Sequence, residues 1–151
     1  MNQNLTIWKS GRESLSWMLR SCTPEQLNKT PAGFSNNIAW NLGHIIAVQQ
    51  SLVYRRTGME GLLPKRLYDL YMPGTRPGAP LHAADLEELK SLLFSTIGQT
   101  EADYASGAFG PFRALTTSRG FGLNSLEDAI AFNNFHEGLH IGSVMSLLKF
   151  V

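Results

Sequence analysis

Cysteine is almost missing from this sequence. Cys22 stands alone among 151 residues, so no disulfide can close within the chain, and the composition suits a reducing compartment. An excess of charge of either sign is missing too. Thirteen Lys and Arg face 12 Asp and Glu, a formal net charge of +1, which leaves no electrostatic footprint for gripping a phosphate backbone and argues against nucleic acid as a partner. No apolar run approaches the roughly 18 residues of a membrane span, so no membrane partner is expected. The opening "MNQNLTIWKSGRESLSWML" lacks the basic start and short apolar core of a signal peptide. A cytoplasmic location is the expectation. Repeats, low-complexity tracts and composition breaks are absent, and residues 1–151 read as a single domain.

Convincing period-two alternation is also lacking, which leaves no case for a sheet. What the sequence does contain is helical periodicity in four places. Leu5, Trp8, Leu15, Met18 and Leu19 form one stripe, ended by "CTPEQ". A second helix follows "TPAGFSNN", with Ser35 or Asn36 as its expected cap, and runs through "IAWNLGHIIAVQQSLVYRRTG" to stop near Gly58. A third begins at "ADLEELKSLL", where Asp85 and Glu88 have capping-box spacing. The fourth begins at Asn124 or Ser125 and continues toward the end of the chain. Between the second and third lies "MEGLLPKRLYDLYMPGTRPGAPLHA", too long for a simple turn, with a short helix expected in "PKRLYDLY". The expected fold is all-α, a four-helix bundle with a long crossover between helices 2 and 3.

The fourth helix carries "FHEGLH", which spells His136-Glu137-x-x-His140, the motif a zinc protease would use. Two histidines four apart on a helix sit about 40° apart around its axis and about 6 Å along it, so both rings can reach one metal ion. A protease would need a third ligand downstream, and "IGSVMSLLKFV" offers no His, Asp, Glu or Cys. The third ligand must come from upstream. His82 sits in the crossover beside Pro80 and reads as a solvated loop residue. His44 lies in the most apolar part of the second helix and completes a three-histidine site with His136 and His140. Three protein ligands leave a tetrahedral ion one open position, the arrangement of catalytic sites.

Asn41 precedes His44 by three residues and Asn133 precedes His136 by three, so both are candidates to support the ligand rings from one turn away. Glu137 has two readings: a catalytic proton acceptor beside the metal, or a salt bridge. Gly43, Gly138 and Gly142 each cost a helix interior roughly 1 kcal/mol relative to alanine, which close approach of the second and fourth helices around an ion would explain. Arg113, Arg119 and Lys65 are loop cations able to hold a carboxylate, although such residues are commonly just solvated.

Trp40 to His44 on the second helix reads W-x-x-x-H, and His136, Glu137, His140 and Gly142 read H-[DE]-x-x-H-x-G late in the chain. In these motifs, and in "LYMPGTRP", the sequence resembles the DinB-like superfamily of four-helix proteins. The resemblance spans most of the chain. It implies a divalent metal, zinc or nickel, held by His44, His136 and His140, and a homodimer. It further implies a small-molecule substrate and thiol-dependent transferase or isomerase chemistry with a low-molecular-weight thiol such as bacillithiol or mycothiol. Three functions follow: a metal-dependent thiol S-transferase or related group-transfer enzyme, a non-catalytic dimerising helical module with a structural or vestigial metal site, and a metal-dependent small-molecule hydrolase.

Overall fold

The computed structural model describes residues 3–151. Four long helices dominate: α1 (Gln3–Leu19), α3 (Ile38–Gln49), α5 (Ala83–Ser106) and α6 (Leu126–Leu147), with short helices α2 (Pro24–Asn28) and α4 (Lys65–Tyr71) in the connections. Helix α1 packs on α5 and α6, and α3 packs on the same two, so the long helices form a closed ring of neighbours. Among the described residues no helix is long and apolar enough to cross a membrane.

Helix α3 is the innermost element. All twelve of its residues are buried, because α2, α4, α5 and α6 each pack against it. A helix covered on every side carries no polar face, and "IAWNLGHIIAV" has none. Its polar residues Asn41, His44 and Gln49 must therefore find partners inside the protein. Beyond Gln49 the helix widens into a π-turn over Gln50–Tyr54 and tightens to a 3₁₀ turn over Arg55–Thr57. It ends at Gly58, whose φ of 78° is the left-handed conformation glycine adopts without strain.

The helix starts refine the sequence reading. Asn37, rather than Ser35 or Asn36, caps α3: its side-chain oxygen accepts the Trp40 backbone N–H at 2.8 Å. Helix α5 begins three residues earlier than its apolar pattern suggests, at Ala83. Asp85 is thus its third residue, and its carboxylate accepts the His82 backbone N–H at 3.2 Å. Ser125 caps α6 in a reciprocal arrangement with Asp128. The expectation of no sheet is corrected by a small one. Leu115–Thr116 (β1) pairs antiparallel with Gly122–Leu123 (β2), strands of two residues each, too short to leave a period-two signature.

Two apolar clusters fill the interior, one around Leu15, Leu42, Ile45, Leu89 and Val144, the other around Trp8, Val53, Ile97 and Ile130. A buried polar layer lies with them. Arg12 and Glu137 form an ion pair at 2.7 Å with essentially no exposure of either side chain. The Arg12 guanidinium also donates to Leu93 O at 2.6 Å, Thr96 Oγ1 at 2.9 Å and Gln49 Oε1 at 2.8 Å. Glu137 in turn accepts from the Trp8 indole N–H and from Asn133 Nδ2. The layer joins α1, α3, α5 and α6, and every charge in it is matched.

Candidate metal centre

His44 projects from α3, His136 and His140 from α6, and their ligand-capable nitrogens all lie within 4.8 Å of one another. Nε2 of His44 and Nε2 of His136 are 3.3 Å apart. Two nitrogens each about 2.0–2.1 Å from one tetrahedral ion stand about 3.3 Å apart, so the spacing fits.

The far side of two rings is fixed by acceptors. His44 Nδ1 is 2.6 Å from the backbone carbonyl of Tyr71, at the end of α4. A carbonyl can only accept, so Nδ1 carries the proton and Nε2 keeps its lone pair. His140 Nδ1 is 2.8 Å from Asn41 Oδ1. Asn41 spends its amide N–H groups on Asn37 O and Asn36 Oδ1, which establishes its oxygen as the acceptor and repeats the same tautomer in His140. Trp40 stacks on His44 with ring centroids 4.5 Å apart and planes 14° from parallel, and its indole N–H is anchored on Thr75 Oγ1 at 3.1 Å.

The electrostatics keep the rings neutral. Burial foremost, then the neighbouring rings of His140 and His44 and the charge of Arg119, pushes His136 down to about 3. Burial followed by His44 pushes His140 down to about 4. Burial also lowers His44, partly offset by the Tyr71 carbonyl. Neutral imidazole is the form that binds metal. The donor set, three imidazoles with no thiolate or carboxylate among them, suits zinc or nickel and does not suit calcium or magnesium. The residues present therefore fit a divalent transition metal.

A family model of the DinB superfamily matches residues 7–144. The chain belongs to the DinB superfamily. No match was found among curated proteins. Within this DinB superfamily protein, the three histidines singled out by spacing do come together, while the residues around them are arranged differently from expectation.

Asn41 supports His140 across the α3–α6 contact rather than His44 one turn away. Asn133 does not reach His136; its amide N–H donates to Glu137 at 2.8 Å, leaving Asn133 Oδ1 and His136 Nδ1 buried without partners. Glu137 gives its carboxylate to Arg12, Trp8 and Asn133. One position along a helix turns a side chain about 100°, and here that rotation directs Glu137 into the polar layer while His136 joins the histidines. The proton-acceptor reading of Glu137 gives way to the salt bridge.

The glycines are corrected as well. A Cβ on Gly43 would collide with the Tyr71 ring on α4, whereas one on Gly138 or Gly142 would meet nothing within 4 Å. Gly43 therefore serves the approach of α4, which brings the Tyr71 carbonyl to His44. His82 is exposed at the start of α5, away from the cluster. Sequence reasoning missed Tyr71 because its contribution is a backbone atom. It missed Arg12 although a signal existed: an arginine occupies the vacant place on the stripe of Leu5, Trp8, Leu15 and Leu19.

Proposed function

We propose that this protein is a divalent-metal-dependent group-transfer enzyme that uses a low-molecular-weight thiol as its nucleophile. The observation that carries the reading is the cluster of three neutral imidazoles, two of them held in the metal-ready tautomer by Tyr71 O and Asn41 Oδ1. His44, His136 and His140 would hold the ion, zinc or nickel. When bound, the ion supplies positive charge that lowers the pKa of a thiol or water placed beside it.

The choice between thiol and water rests on Glu137. Among the described residues no carboxylate joins the histidines, and the glutamate of the H-E-x-x-H spelling is committed to Arg12. A free thiol, with a pKa of about 8.5, needs little help to ionise at neutral pH. Water, with a pKa of about 15.7, needs far more, and hydrolases of this spelling use a glutamate as the base. The arrangement favours the thiol. Trp40, packed flat on His44, shields that ring from water and holds its plane. A thiol co-substrate and the lone Cys22 agree with a reducing, cytoplasmic setting.

The test has two stages. Protein purified without a histidine tag should carry close to one zinc or nickel per chain by elemental analysis, and His44→Ala or His140→Ala should carry none. A metal-free wild type overturns the reading. Conjugation of a small electrophile should then require both metal and thiol (bacillithiol, mycothiol or glutathione); metal-dependent turnover without thiol points to the hydrolase instead.

A second reading, the dimerising module, is favoured by the outer face of α6. Phe135, Leu139 and Met145 are about half exposed there, and Gly138 and Gly142 add no side chain to it. Two uncharged faces with glycines allow close helix approach in a homodimer. Sedimentation should then show a dimer that Gly138→Ala weakens. A monomer at all concentrations rules this out.

A further inference from the structure

We propose that Arg119, at the tip of the β1–β2 hairpin, holds a carboxylate of the substrate beside the three-histidine centre, so that the thiol or its acceptor is an anionic small molecule. The inference rests on the metal-dependent thiol reading and adds to it the class of ligand.

Three loop cations stand out in the sequence, and the structure separates them. Arg113 donates to the backbone carbonyl of Arg55, and Lys65 pairs with Asp69. Arg119 has no hydrogen-bond or ion-pair partner among the described residues. Its position is nonetheless well defined. The hairpin tip is closed by the Thr117 N–H to Phe121 O at 2.8 Å and the Phe121 N–H to Thr117 Oγ1 at 3.0 Å, with Gly120 in the left-handed conformation at φ 84°. Phe121 then packs on α6, its ring 5.4 Å from Phe132 and 5.5 Å from Phe135. Phe135 immediately precedes His136. The hairpin tip is thus tied to the turn of α6 that carries a ligand ring, and the charge of Arg119 is felt at His136.

The charge balance supplies the second argument. The only acid on this turn of α6, Glu137, is neutralised by Arg12, and the three rings bring no negative charge. A divalent ion and Arg119 would leave the site strongly positive with nothing on the chain to balance it. An anionic ligand resolves this. The guanidinium fork matches a carboxylate in two parallel hydrogen bonds, and one arginine matches one carboxylate charge.

Calorimetric titration of the metal-loaded protein at low salt tests this with three probes: 3-mercaptopropionate, its methyl ester, and propionate. Wild type should bind the acid thiol about tenfold more tightly than the ester, a usual size for one charge-assisted contact. Arg119→Gln should bring the two within about twofold while ester binding stays unchanged, and Arg119→Lys should keep part of the difference. An acid-to-ester ratio near one in wild type, or a ratio unchanged in Arg119→Gln, overturns the inference but leaves the thiol reading standing. Arg119-dependent binding of both acids without any ester binding sustains the inference and overturns the thiol reading. No binding of any probe overturns both.

Discussion

Replacing Glu137 by glutamine removes one charge and almost no volume, so it separates structure from chemistry at this position. The Arg12 guanidinium would remain at 0% exposure with its carboxylate partner gone. The new amide group would also point N–H donors at Arg12 and at the Trp8 indole, both of which are donors themselves. Breaking a buried pair by removing one partner costs about 3–5 kcal/mol, against a total stability of about 5–15 kcal/mol for a domain. At this chain length that corresponds to a melting temperature lower by about 10 °C. Thermal denaturation followed by circular dichroism reads the shift, and elemental analysis at low temperature should find metal content unchanged. The double variant Arg12→Met with Glu137→Leu should be less destabilised than Glu137→Gln, because no charge is stranded. It recovers only part of the loss, since Gln49, Thr96, Trp8 and Asn133 also lose partners. A Glu137→Gln protein that melts within about 2 °C of wild type yet loses thiol-transfer activity a hundredfold would show that Glu137 acts in the chemistry, and would refute the reasoning.

Gly43→Ala should lower the melting temperature by several degrees, since overpacking costs about 1–3 kcal/mol and the added methyl meets the Tyr71 ring; metal affinity should fall with it as the Tyr71 carbonyl leaves His44. Asn41→Ala deprives His140 Nδ1 of its acceptor and should weaken metal binding about 10- to 100-fold by competition with a chelating dye, so an unchanged affinity would remove Asn41 from the site. In metal-free protein, NMR titration should find His136 and His140 neutral well below pH 6.5, consistent with values of about 3 and about 4. Their folded-state values lie below the unfolded one, so their contribution to stability is complete above about pH 6.5 and is lost as pH falls toward about 3; rings that titrate near 6.5 would contradict the buried cluster.

Much of this protein is legible in its sequence. The stripes of α1 and α5, the Ser125 start of α6 and the short helix in the crossover all follow from patterns within a few residues, where backbone geometry alone relates one side chain to the next. The i, i+4 pair His136 and His140 belongs to that class. His44 was reachable by elimination, as the one helical histidine on another apolar segment. The supporting residues were not reachable in the same way. Spacing assigned Asn41 to His44 and Asn133 to His136, because one turn of helix is the only distance that spacing measures. The packing instead joins Asn41 to a residue 99 positions away and Arg12 to one 125 positions away.

The local order of the chain settled which segments coil, where they start, and that two rings on α6 face one point. Whether a third ring meets them, which acceptors set the tautomers, and whether the glutamate beside them serves chemistry or a buried arginine depended on how helices rotate and slide against one another. Those choices are made by summed packing and by the need to match every buried charge and polar group. No stretch of sequence shorter than the whole domain contains that sum.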